Sequence, residues 1–236
     1  SSNCEFDGFF FDTILKSFLL NFFLSSDCIN ILSLTEENHL KTIFHLSSGD
    51  SRSVSTNSIA DALNTKAPSV SDMLKKLSVK DLISYKKYQG SSLTENGRKL
   101  ALNIIRKHRL WEVFLVEKLG FSWSEVHDIA EQLEHVKSKK LIKELDKFLD
   151  YPTIDPHGDP IPNPAGFIKY KNKFLLCDLK IGEKGKLVGV KDSSSSFLQF
   201  LDKRKIALGC TIEILHIEDF DNSIHIGLQH TNITIS

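Results

Sequence analysis

The run Ser124–Val136 (SEVHDIAEQLEHV) limits the possible fold more than any other stretch of the chain. Val126, Ile129, Ala130, Leu133 and Val136 recur at helical spacing and require a buried face. His127, Glu131, Glu134 and His135 fall at offsets 0, 4, 7 and 8. At about 100° per residue they share one stripe of the same helix. The stripe displays two imidazoles and two carboxylates, the donors that hard and borderline divalent cations require. A solvated polar face is the plainer alternative, but Lys or Arg normally balances Glu on such a face.

A second pair, His108 and Glu112 in Arg106–Phe114 (RKHRLWEVF), is four residues apart on another expected helix. That spacing stacks the two side chains and lets both reach one ion. An intrahelical ion pair is the alternative. Charge is distributed in the same sense. The net charge is zero, yet residues 34–110 hold 13 Lys/Arg against 7 Asp/Glu, and residues 111–165 hold 6 against 11. A basic block followed by an acidic, His-bearing one suggests a polyanion-binding module joined to a cation-binding module. Cys4, Cys28, Cys177 and Cys210 are widely spaced and form no C-x-x-C, so they read as free thiols in a reducing cytoplasm.

Residues 1–33 are expected to be an extension outside the core fold, with an amphipathic helix packed on the body as the alternative. Phe9–Leu24 is rich in Phe and Leu, but it is short for a membrane span, contains Asp12 and Lys16, and lacks the basic start of a signal peptide. Residues 34–98 read as helix, helix, turn, helix, hairpin. Pro68 suits a first helical position, and Val70, Met73, Leu74 and Leu77 form a buried stripe. The two short helices Ser55–Leu63 and 68–77 match a helix-turn-helix, and the hairpin around Gln89-Gly90-Ser91 matches a wing. Residues 99–150 give three helical stretches: Leu100–Gly120, Ser124–Val136 and Ser138–Leu149. Residues 151–173 read as an extended linker, with five of the six prolines in Tyr151–Pro164. Residues 174–236 alternate as a β domain of about five short strands, among them Lys186–Lys191, Thr211–Ile217 and Ser223–Leu228, which suggests a small SH3-like barrel. The fold class is mainly α with a small β domain.

In this order of parts the chain resembles the metal-dependent repressors of the diphtheria toxin repressor and manganese transport regulator type. The resemblance runs from Leu34 to Ser236. It is carried by Glu37–Phe44 (ENHLKTIF), Ala67–Lys76 (APSVSDMLKK), Leu93–Gly97 (LTENG), Arg106–Glu112 (RKHRLWE) and Val126–Val136 (VHDIAEQLEHV). It implies a winged helix-turn-helix, a helical metal-binding and dimerisation domain and an SH3-like domain. It also implies a cytoplasmic homodimer that binds a palindromic operator in double-stranded DNA and is neither an enzyme nor a membrane protein. By position, Glu131, Glu134, His135 and Asn38 match a first metal site, and His108, Glu112 and His127 match a companion site. The last domain would add a carboxylate, placed at Asp192. Lys41 stands where short manganese-type members have a Glu ligand, so two separated single-ion sites are expected instead of a tight pair.

The donors are carboxylate, amide and imidazole, with Glu131 where iron-type members often have Cys. That set favours Mn²⁺, with Fe²⁺ second. Without metal, Glu131 and Glu134 are expected to leave two negative charges close together. An ion would neutralise them and, through Asn38, tie the first helix to the helical domain and so set the spacing of two recognition helices. Lys66, Pro68, Ser69 and Asp72 are expected on the groove-facing edge of the reading helix, with Lys75, Lys86 and Lys87 as phosphate contacts. Two other classes compete with this reading: a winged-helix regulator of an organic ligand, and a metallohydrolase using Glu131 or Glu134 as base. The second lacks H-E-x-x-H and any evident substrate loop.

Overall fold

The computed structural model describes residues 32–47, 52–86, 89–170, 172–228 and 231–235, which form seven α-helices and six strands. Phe9–Leu24, Lys87 and the tip of the wing lie outside the described residues. The first part begins with α1 (Leu34–Leu46), whose Leu40, Ile43 and Phe44 are buried. Next comes α2 (Thr56–Ala62), where Ser55 caps the N-terminus by accepting from the Ser58 N–H. The turn passes through Asn64 at φ 48°, a left-handed position that Asn tolerates. Then α3 (Ala67–Val79) opens with Pro68 in its first turn and buries Val70, Leu74 and Leu77. Strands β1 (Ile83–Lys86) and β2 (Gly90–Leu93) pair antiparallel, and Val54 bridges to Ser91 at the β2 edge. These elements make a winged helix-turn-helix.

The long helix α4 (Glu95–Leu119) starts earlier than its apolar pattern suggests, because Thr94 caps it by accepting from the Gly97 N–H. Gly97 is required here: a Cβ on it would lie 1.9 Å from the Leu82 carbonyl oxygen. Gly120 ends the helix in the left-handed region at φ 75°, as expected of a C-cap. Helices α5 (Val126–Leu133) and α6 (Lys139–Phe148) pack on α4 around Leu110, Trp111, Val113, Ala130, Leu145, Leu149 and Ile161. Burial of each aliphatic side chain in such a cluster contributes roughly 1.5–3 kcal/mol.

Two expectations change at this level. The helix expected over Ser124–Val136 stops at Leu133. Glu134 keeps helical torsions as its cap, and the Val136 N–H turns back to the Leu133 carbonyl, so His135 stands in a turn. The prolines of 151–164 do not make a loose linker. Proline carbonyls still accept hydrogen bonds, and α4 supplies the donors: Arg109 Nη1 to Pro160 O at 2.5 Å and Arg106 Nη1 to Pro162 O at 2.6 Å. Ile161 joins the helical core, so the segment is fixed along α4.

The last part has β3 (Lys184–Lys186), α7 (Ser195–Lys203), β4 (Thr211–Ile217), β5 (Ile224–Leu228) and β6 (Thr231–Ile235). The strands form one antiparallel sheet in the order β3-β4-β5-β6, so the described residues give four strands there and not five. The strand expected over Lys186–Lys191 is only begun. Val190 leaves the sheet edge, and its N–H bonds the His157 carbonyl instead. This SH3-like domain meets the helical domain through Trp123, whose indole N–H donates to Asp202 Oδ1 at 2.7 Å while its ring borders the β-domain core.

Candidate metal centre

Helices α4 and α5, α1 and the 151–164 segment converge on a row of titratable groups. At its centre is Glu112, only 2 % exposed. One turn earlier on α4, His108 places Nε2 3.0 Å from Glu112 Oε1, as the i, i+4 spacing requires. His127 on α5 brings Nδ1 to 3.6 Å from the same oxygen. His157, from the proline-rich segment, brings its Nδ1 to 3.6 Å as well. Its Nε2 donates to the Trp123 carbonyl at 2.8 Å, which fixes the ring and turns Nδ1 toward Glu112. Asp155 completes the group, held by Arg109 Nε at 3.2 Å. His108, Glu112, His127, Asp155 and His157 line a cavity of about 110 Å³.

In two sets of three, His108/Glu112/His127 and Glu112/Asp155/His157, one donor atom per residue lies within 4.8 Å of the others. Burial works against charge on Glu112, but hydrogen bonds from His108, His127 and His157 hold its carboxyl well below the usual range. Burial also opposes charge on His108, yet its bonds to Glu112 and Glu134 raise the imidazole to about 9. Asp155 goes the other way: burial, and then the Glu112 charge, push its carboxyl up to about 6 despite Arg109. With three imidazoles and two carboxylates, the donor set suits a divalent ion.

The first-site face is built differently. Glu134 is fully buried, and Glu131 lies one helical turn away. His108, Glu131 and Glu134 again bring donor atoms within 4.8 Å. Between the two carboxylates sits the Lys41 ammonium, 2.5 Å from Glu131 Oε1 and 2.7 and 2.9 Å from the Glu134 oxygens. The metal-free face is therefore not a pair of bare charges, as the sequence suggests; a lysine from α1 compensates them. His135 reaches Glu134 only at 3.7 Å through Nε2, and its Nδ1 is 2.5 Å from Glu37 Oε2. Glu37 is thus a carboxylate behind the imidazole that orients Nε2 toward the site. The Asn38 Oδ1 is buried and has no hydrogen-bond partner, a lone-pair oxygen of the kind a cation would satisfy.

Of the residues expected from sequence, His108, Glu112, His127, Glu131 and Glu134 are brought together, with His135 at the margin, and Asn38 lies three residues before Lys41 on α1. Asp192 is not among these groups. Its carboxylate accepts from the Ser194 N–H at 2.8 Å, while Lys191 and Ser193 border the cavity. Asp155, His157 and Glu37 escaped the sequence reading, which noted Lys41 but not its pairing with Glu131 and Glu134. The signal for the first two was the Asp-Pro-His-Gly-Asp run at 155–159, taken there as linker. Lys66, the N-cap of α3, and Pro68, Ser69, Asp72 and Lys75 on the helix are all exposed, and Lys86 is exposed on the wing. Asp72 pairs with Lys75 at 2.9 Å, so its carboxylate serves the helix in this state.

Residues 32–91 match the N-terminal DNA-binding domain of iron-dependent repressors, residues 94–163 their metal-binding and dimerisation domain, and residues 174–236 the FeoA domain. The iron-dependent repressor IdeR of Mycobacterium tuberculosis strain H37Rv is 37% identical over 134 residues, 57% of this chain and 58% of that protein. The diphtheria toxin repressor of Corynebacterium jeikeium is 34% identical over 128 residues, 54% of this chain and 53% of that one. The chain thus spans somewhat over half the length of these relatives. A solved manganese-dependent transcriptional repressor in complex with manganese superposes with a TM-score of 0.76 at 31% identity, covering 85% of this chain and 92% of that one.

Proposed function

This chain belongs to the iron-dependent repressor family, and from that premise we propose that it is a DNA-binding transcriptional repressor with a divalent metal as corepressor. Residues 34–98 would bind the operator, residues 99–150 would hold metal and dimerise, and residues 174–236 would close over the metal centre. The observation that carries this reading is Glu112. It is a buried carboxylate facing three imidazoles from α4, α5 and the 151–164 segment, with a second carboxylate beside it.

His108, Glu112, His127, Asp155 and His157 would hold the ion of this centre; Asn38, Glu131, Glu134 and His135 would hold one at the first-site face. A bound dication would supply charge against the Glu112 and Asp155 carboxylates. Asp155 and His157 lie on a segment whose His157 carbonyl holds Val190, so the donors on α4 are connected directly to the last domain. Glu134, at the end of α5, is in turn bonded to α1, the helix that precedes the reading unit. Lys80 at the end of α3 pairs with Glu36 of α1 at 2.6 Å, and coupling between metal and DNA would run through these contacts. A hundredfold effect on DNA affinity needs about 2.7 kcal/mol of differential binding.

The donors contain no sulfur, and among the described cysteines Cys177 is exposed and Cys210 half-buried, neither at the site. This favours Mn²⁺, with Fe²⁺ second. A repressor of this kind binds its palindromic operator as a homodimer in the cytoplasm, and no helix among the described residues is long and apolar enough to cross a membrane. Calorimetry of chelator-treated protein with Mn²⁺ tests the reading. Saturable heat in the wild type that is reduced in Glu112→Gln supports it; the absence of specific heat favours a regulator of an organic ligand.

A further inference from the structure

The first-site face holds a cation of its own. Lys41 is 9 % exposed, and its ammonium makes short contacts with one oxygen of Glu131 and both oxygens of Glu134. Glu134 is fully buried, and its Oε2 also faces His108 Nδ1 at 2.7 Å. Its lone pairs are thus committed inside the protein. Around the pair, His127 approaches Glu131 at 3.7 Å and His135 approaches Glu134 at 3.7 Å. On the same helix as Lys41, three residues earlier, the Asn38 Oδ1 is buried without a partner.

We propose that Lys41 is a tethered competitor for the first-site ion: Glu131 and Glu134 serve the ammonium or a divalent metal, but not both. The inference rests on the reading of the chain as a metal-dependent repressor and specifies how that site is regulated. An ammonium and a dication on the same two carboxylates repel each other, so metal enters only as Lys41 swings its flexible stem away. The contact is intramolecular, so the competitor's effective concentration does not depend on dilution. The consequence is a staggered response. Among the described residues Glu112 itself carries no lysine contact, and the cation nearest its centre, Arg109, holds Asp155; Lys41 therefore raises the metal concentration needed at the first-site face alone, which fills second. Without metal, Lys41 already joins α1 to the end of α5. Metal then replaces that tie with one that passes through Asn38, whose oxygen is left unsatisfied in the lysine-bound state.

Equilibrium dialysis of the full chain against Mn²⁺ tests this. The wild type is expected to take up two ions per chain with separated affinities. Glu112→Gln should remove the tighter one. Lys41→Met should tighten the weaker one by about tenfold or more and leave the other unchanged, because a repelling charge is removed. Lys41→Arg, which keeps the charge, should stay close to wild type. Circular dichroism checks the fold, and Lys41→Gln replaces Lys41→Met if the latter is unstable. If the weaker constant is the same in wild type and the neutral variants, or if Arg and Met tighten it equally, Lys41 is no competitor. If neither wild type nor any variant takes up Mn²⁺, the metal-dependent reading itself fails, and this one with it.

Discussion

Glu112 and His108 decide the behaviour of the metal-free protein at the level of single residues. His108 is raised from its ordinary 6.5 to about 9 because its hydrogen bonds to Glu112 and Glu134 outweigh the cost of burial. The folded state therefore binds this proton more tightly than the unfolded chain does. The resulting stability is fully present below pH 6.5 and is lost as pH rises through about 9. The depressed Glu112 carboxyl acts in the opposite direction, giving stability above its ordinary 4.5 that is lost as pH falls. In metal-free protein the urea midpoint should drop between pH 6.5 and 9.5 by an amount worth up to about 3 kcal/mol. Glu112→Gln should flatten that drop, because it removes one of the two carboxylate partners. Equal alkaline slopes in both proteins would remove His108–Glu112 from the explanation. Glu134→Gln should cost about 3 kcal/mol, since it leaves the buried Lys41 charge only half-compensated; denaturant unfolding measures this, and a loss under 1 kcal/mol would contradict it.

The elements carry two further predictions. Gly97 lets α4 start directly against the wing. Gly97→Ala should destabilise the protein by about 1–3 kcal/mol, because a Cβ there meets the backbone at Leu82. Denaturant unfolding tests it, and a neutral result would mean that the α4–wing junction yields easily. The Lys86 side chain is exposed on the wing. Lys86→Ala should weaken specific and non-specific DNA about equally and lower the salt slope by about 1. A change of base preference at constant affinity would identify a base contact instead. Local chemistry made the elements legible. Pro68 marked the start of α3, Gly120 the end of α4, and the apolar spacing of Val70, Leu74 and Leu77 the buried side of the reading helix. The end of α5 was not legible in this way. Glu134 and His135 continue the polar stripe in sequence, but their positions are set by Lys41, His108 and Glu37, which lie 26 to 98 residues away. The early departure of Val190 from the sheet has the same kind of cause, a partner in the His157 carbonyl.

For the whole molecule, the proposed metal centre is an assembly of parts. The half of it on α4 and α5 could be read from sequence because helical spacing alone places His108 beside Glu112 and His127 beside Glu131. Asp155 and His157 could not be, because their position depends on the prolines being clamped by Arg106 and Arg109, a tertiary effect with no period in sequence. Because Asp155 and His157 are donors of the proposed centre, Mn²⁺ should add to the clamp's protection of residues 151–166 from limited proteolysis in the wild type and add much less in Glu112→Ala. Unchanged cleavage in both would show that this segment is fixed without the metal. The central claim is that metal switches DNA recognition, and selection of operators from a random double-stranded library tests it most directly. With Mn²⁺ present, the full chain should enrich a palindromic motif, and enrichment should collapse when the metal is chelated. The same motif enriched equally with chelator, or no motif under either condition, would contradict the account.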